Sequence, residues 1–191
     1  MTPHQNNSDI QIWNKFIRIF HALLFLLVTV AFLTEDFELT HEIVGYGVIF
    51  LVIFRIFYGI FTQDKFAKLS EFFHSSESIL SFVLSVVKLK EQRFLGHNPL
   101  AGLVMFLMLF LLLASGISGI LGFAMKEEEG FASQFINANF ELGEKMLHMH
   151  EVTSNILLGL IAFHLIGVLL SSILTSENLA KSIFLHGKKR K

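Results

Sequence analysis

HEVTSNILLGLIAFHLIGVLL, residues 150–170, holds two histidines 14 positions apart in an otherwise largely apolar run. At 1.5 Å and 100° per residue, a helix sets His150 and His164 about 21 Å apart along its axis and within roughly 40° of one face. One helix therefore offers two imidazoles on the same side at two depths. The run extends over 152–176, long enough to cross a bilayer, and an ionisable residue inside such a span is expensive enough that function is its first reading.

Outward from this stretch, three more segments approach the roughly 20 residues of a membrane helix, 10–33, 43–62 and 99–125. The first is the least regular, because Lys15 and Arg18 sit on its aromatic opening, where long cationic side chains reach for the headgroups. Hydrophobic residues make up 53% of the chain and charged ones 16%, a balance unlike that of a soluble domain. The fold expected is an all-α integral membrane four-helix bundle forming a single domain over 1–191. Between spans two and three, apolar residues recur at helical spacing over 69–90 among Ser, Glu and Lys, which reads as an amphipathic helix on the membrane surface. A short re-entrant span is the competing reading. The phenylalanines of 126–149 suggest a lip resting on the opposite interface.

Met1 to Asp9 is polar and the first apolar stretch lacks a small-residue cleavage site, so that stretch is expected to stay as a membrane helix. With both termini cytoplasmic, 13 of the 15 basic residues fall on the inner side, all but Lys126 and Lys145. The positive-inside rule selects this orientation. The outer loops then carry Glu35, Asp36, Glu38 and Glu42, followed by Glu127, Glu128, Glu129, Glu141, Glu144 and Glu151, and present an acidic face. No nucleic-acid partner is expected; the surrounding partner is membrane lipid.

Spans one and two run in opposite directions and carry one of the remaining intramembrane histidines each. His21 lies in the inner half of span one, and His41 stands at the outer start of span two. Span four enters from outside, so depth pairs His21 with His164 and His41 with His150. The chain has no cysteine, which excludes disulfides, iron–sulfur clusters and covalent c-type haem, and leaves iron to histidine, methionine or carboxylate. Two imidazoles on opposite faces of one haem iron leave no open position and favour reversible electron transfer. The expected cofactors are two haem b groups, an inner one on His21 and His164 and an outer one on His41 and His150. The competing reading is that these histidines are satisfied by hydrogen bonds between helices. A single metal ion does not fit, because His21 and His41 occupy opposite halves of the bilayer.

His148 points about 160° away from His150 on a helix and is the substitute ligand. His97, just before Pro99, reads as a loop or capping residue, with a quinone or proton role as the alternative; His4, His74 and His186 lie in polar or surface segments. Haem propionates want cationic partners. Arg18, one turn before His21, and Arg55, deep in VIFRIFYG, are the candidates, with another acid or snorkelling as alternatives for Arg55. Gly45, four residues after His41, is on its face and suited to close approach by a flat macrocycle, and Gly159 lies between the two span-four ligands. Gly116, Gly119 and Gly122 read first as helix-packing positions.

The pieces RIFHALLFLL, THEIVGYGVIFLVIFRIFYG, RFLGHNPLAGLVMFLMLFLLL, HEVTSNILLGLIAFHLIGVLL and SENLAKSIFLHGKKRK together resemble, in order and over nearly the whole chain, the bacterial cytochrome b561 and hydrogenase-type cytochrome b superfamily. The resemblance implies a dihaem bundle with His21, His41, His150 and His164 as axial ligands. It also implies electron exchange between membrane quinone and a partner at the outer surface. Ala22, where an aromatic often follows the first histidine, and the phenylalanine-rich segment before span four depart from the pattern. The leading expectation is a subunit of the bacterial inner membrane that oxidises quinol and reduces a periplasmic c-type cytochrome or redox enzyme; homodimerisation is open. The alternative is a superoxide:quinone oxidoreductase, which the acidic outer loops disfavour.

Overall fold

The computed structural model describes residues 10–90, 92, 94–186, 188 and 189. His4, Arg93, Arg190 and Lys191, and the side chains of His186, Lys188 and Lys189, lie outside what is described. Five helices organise the chain: α1 (Lys15–Leu33), α2 (Glu38–Phe61), α3 (Ser76–Val87), α4 (Pro99–Lys126) and α5 (Phe140–Thr175). Four of them, α1, α2, α4 and α5, are long and apolar enough to cross a membrane. In hydrocarbon every backbone N–H and C=O must be satisfied within the segment, which an apolar run achieves only as a helix or in a closed barrel. The protein is an all-α membrane helical bundle with an additional shorter apolar helix.

Side chains mark where the helices begin. Asn14 Oδ1 accepts from Ile17 N at 2.9 Å, Asn98 Oδ1 from Ala101 N at 2.7 Å, and Asn139 Oδ1 from Leu142 N at 3.0 Å. Each satisfies one of the orphan N–H groups of a first turn, and Pro99 supplies the fixed φ suited to the first position of α4. These caps correct the expected bounds. The first span starts at Lys15, not at residue 10, because Ile10–Gln11 (β1) pairs antiparallel with Lys188–Lys189 (β2). The fourth begins at Phe140, three turns before residue 152, since the polar stretch after Asn139 continues as helix and carries an i,i+4 pair, Lys145 Nζ to Glu141 Oε1 at 2.6 Å. The amphipathic segment is helical only over α3, whose Ser75 cap accepts from Ser78 N; two 3₁₀ turns, Lys65–Ala67 and Leu69–Phe72, precede it.

The chain divides into two compact units, to which α1, α2, α4 and α5 each contribute a stretch. The unit of residues 1–22, 58–103 and 164–191 buries Ile12, Trp13, Ile17 and Ala67 against Phe16, Tyr58, Phe66 and Ile183. Asn14 ties it together, with Nδ2 donating to Tyr58 Oη at 2.8 Å and Asp64 Oδ2 at 2.7 Å. His97 lies between the Trp13 and Phe72 rings, 4.8 and 5.2 Å between centroids.

The unit of residues 23–57 and 104–163 buries Val48, Val52, Leu112 and Leu157. Its helices approach closely at glycine. A Cβ on Gly116 would stand 2.5 Å from Ile49, and one on Gly122 would stand 2.8 Å from the Leu147 backbone nitrogen. Elsewhere the helices leave Phe25, Phe50, Phe54 and Phe110 exposed, as expected of surfaces that meet lipid rather than water.

Candidate functional site

His41 stands in the first turn of α2 and His150 within α5, and their rings meet with centroids 5.9 Å apart and planes 89° to one another. Two imidazoles bound on opposite sides of one metal, each through a bond of about 2 Å, have ring centres roughly 6 Å apart. His41 Nδ1 lies 3.0 Å from the Ala31 carbonyl oxygen. Ala31 is in the last turn of α1, where its carbonyl has no i+4 partner among the described residues and accepts only a long bond from Thr34 N at 3.4 Å besides. His150 Nδ1 lies 2.8 Å from the Ser115 carbonyl oxygen and 3.1 Å from Ser115 Oγ, which in turn is 2.7 Å from Ser154 Oγ. A carbonyl oxygen can only accept, so in both neutral rings the proton belongs on Nδ1 and Nε2 keeps its lone pair. Orientation of a ligating histidine through its other nitrogen is the usual arrangement at metal sites.

Both rings line a cavity of about 850 Å³ that also touches Gly45, Ser115, Gly119 and Ser154. That volume is within the range of cofactor pockets. A Cβ on Gly45 would meet no atom within 4 Å, so this face of α2 borders open space beside His41. Gly119 does the reverse: a Cβ there would stand 2.8 Å from His150 Nδ1, so the glycine lets the imidazole lie against α4. The donor set, the ring separation and the space beside Gly45 fit a bis-histidine haem. Glu35, Glu38, Glu42, Glu127, Glu129 and Glu151 line the same cavity and make its wall acidic. Glu42 Oε1 accepts from Phe131 N at 2.9 Å, and the Tyr46 ring lies edge-on to Phe131 at 6.4 Å, which seats the turn Phe131–Gln134 beside the cavity.

His21 and His164 belong to the other unit, within electrostatic range of each other. His21 Nδ1 is buried and has no hydrogen-bond partner among the described residues, and the Phe184 ring is edge-on to it at 5.2 Å. A buried polar atom without a partner is costly, which fits a ring whose surroundings are completed by a bound group. Arg18 is engaged by the chain itself, its guanidinium donating to the carbonyls of Phe184 at 3.3 Å and of Leu185. Arg55, only 4% exposed, is buried in α2 but does not line the cavity that holds His41 and His150. His148 is exposed and stands 4.0 Å from Glu151, away from the paired rings.

Ser115 and Ser154 are site residues that the sequence did not single out, and Gly119, expected as a helix-packing position, packs against the His150 ring. The signal was there in spacing: Ser154 follows His150 by four residues and Gly119 follows Ser115 by four, each pair sharing a helix face.

A family model described as prokaryotic cytochrome b561 matches residues 12–185. No curated protein and no solved structure matches the chain significantly.

Proposed function

The chain belongs to the prokaryotic cytochrome b561 family, and from that premise we propose that it is a dihaem cytochrome exchanging electrons between membrane quinone and a redox partner outside the cytoplasm. Membership itself makes it a multi-pass membrane b-type cytochrome of electron transfer. The observation that carries the finer reading is the pair His41 and His150, with ring centroids 5.9 Å apart, both Nδ1 atoms engaged and both Nε2 lone pairs left for a metal.

His41 and His150 would hold one haem, His21 and His164 the other. A bound haem supplies a one-electron couple at iron with no exchangeable position. The protein's own part is orientation and room. Ala31 and Ser115 fix the ring tautomers, and Gly45 and Gly119 provide the room. Arg18 and Arg55 are the proposed cationic partners of the propionates, Arg18 while it also holds the Phe184 and Leu185 carbonyls. We place the protein in the bacterial inner membrane with both termini cytoplasmic, which puts the acidic cavity wall on the periplasmic side. Such a wall suits a basic c-type cytochrome or redox enzyme, because complementary charge steers encounter. The same carboxylates disfavour superoxide, an anion, as the donor.

Purified protein in nanodiscs is expected to contain two haems per chain, to be reduced or oxidised through a quinol/quinone couple, and to exchange electrons with a basic c-type cytochrome in a salt-dependent manner. Absence of a Soret band, or two bound haems inert to both reactants, overturns the proposal.

A further inference from the structure

Resting on the two-haem reading, we infer that the two histidine pairs are built with unequal donor strength, and that Ser115 is a positioning residue that makes the His41–His150 pair the lower-potential one. Both rings of that pair donate Nδ1–H to a main-chain carbonyl, at 3.0 Å to Ala31 and 2.8 Å to Ser115. Ser115 adds its hydroxyl at 3.1 Å, itself held by Ser154 at 2.7 Å. His21 has no such acceptor: its Nδ1 is buried without a partner among the described residues.

An imidazole whose N–H is drawn toward an acceptor becomes the more basic ligand. A more basic ligand stabilises the higher charge of ferric iron and lowers the reduction potential, one of the levers by which a protein tunes a haem. Charge acts in the same sense. Six glutamates line the cavity of His41 and His150, whereas Arg18 precedes His21 by one turn of α1. Carboxylates near the iron favour its ferric state and a nearby guanidinium disfavours it. Hydrogen bonding and charge therefore order the two sites alike.

A single electron on the protein rests at the His21–His164 site, and transfer toward that site is downhill.

The test is an anaerobic redox titration of the full-length protein in nanodiscs, followed by haem absorbance, after the haem content of the same sample has been measured. Wild type is expected to show two one-electron steps. Ser115→Ala should raise the lower step so that the reduced-to-oxidised ratio at fixed potential grows about tenfold, which is 59 mV for one electron, and leave the upper step in place. Both variants keep the two main-chain carbonyls; Ser154→Ala, which also keeps the Ser115 hydroxyl and removes only its support, should move the lower step in the same direction by less. Movement of the upper step instead, or no movement of either in samples holding two haems, overturns the inference while leaving the dihaem reading intact. Fewer than two haems in wild type overturns both.

Discussion

Gly119 carries no side chain where His150 needs room: a Cβ at this position would lie 2.8 Å from Nδ1 and 3.1 Å from Cε1 of the imidazole. The ring is thus held against α4 by the same stretch that supplies its hydrogen-bond acceptor, the Ser115 carbonyl one turn earlier. Gly119→Ala forces the ring to move or tilt, and loss of an orienting contact at a metal ligand costs roughly 10–100-fold in affinity. Haem retention during detergent washing, read from pyridine haemochrome spectra, should fall toward one haem per chain while helix content by circular dichroism stays unchanged. Full retention of both haems would show that the contact does not position the ligand.

Glu42 anchors the turn after α4 through the Phe131 N–H. Glu42→Ala removes the acceptor and should loosen residues 130–134 by about 1 kcal/mol, the usual net worth of a hydrogen bond. Hydrogen exchange at Phe131 is the direct readout and should quicken about fivefold, with exchange in α3 unaffected. Equal protection in the variant and wild type would place the turn's stability elsewhere.

Asn14 serves three partners: it caps α1 through Ile17 N and donates to Tyr58 and Asp64. Asn14→Ala should therefore lower stability by about 1–3 kcal/mol, combining a lost cap with polar groups left short of a partner. The lowered midpoint should be visible in thermal unfolding. Asn14→Asp, which keeps the cap but loses the amide donors, should fall between the two, and a variant as stable as wild type would deny Asn14 its central place.

Orientation can be read directly, because the chain contains no cysteine and single cysteines can be introduced one at a time. Cysteine at Glu129, exposed beside the cavity, should react with an impermeant maleimide added to intact spheroplasts, and cysteine at Lys88, after α3, only once the membrane is opened. The reverse pattern would invert the assignment of the acidic wall to the periplasm.

Much of this protein was legible locally. The four spans follow from runs of apolar residues, and the caps at Asn14, Asn98 and Asn139 are residue types that accept from a first helical turn. Their exact bounds were less legible. The polar stretch after Asn139 lacks the hydropathy of a span, yet it is helical because its backbone continues α5 and its charges pair along it. The residues before Asn14 are apolar enough for a span, yet they pair with Lys188 and Lys189, a partner nearly the whole chain away.

For the site, sequence alone determined which imidazoles the apolar helices carry and how far apart two of them stand along one helix, since helical rise is a property of each segment taken singly. Chain direction made His41 and His150 the expected partners, and the two rings lie with centroids 5.9 Å apart. Only the tertiary structure decided that Ala31 and Ser115 receive their Nδ1 protons, that Gly119 leaves room for one of them, and that Arg18 holds the Phe184 carbonyl. These depend on the rotation and register of one helix against another, which a few ångströms alter and which no local pattern of residues records.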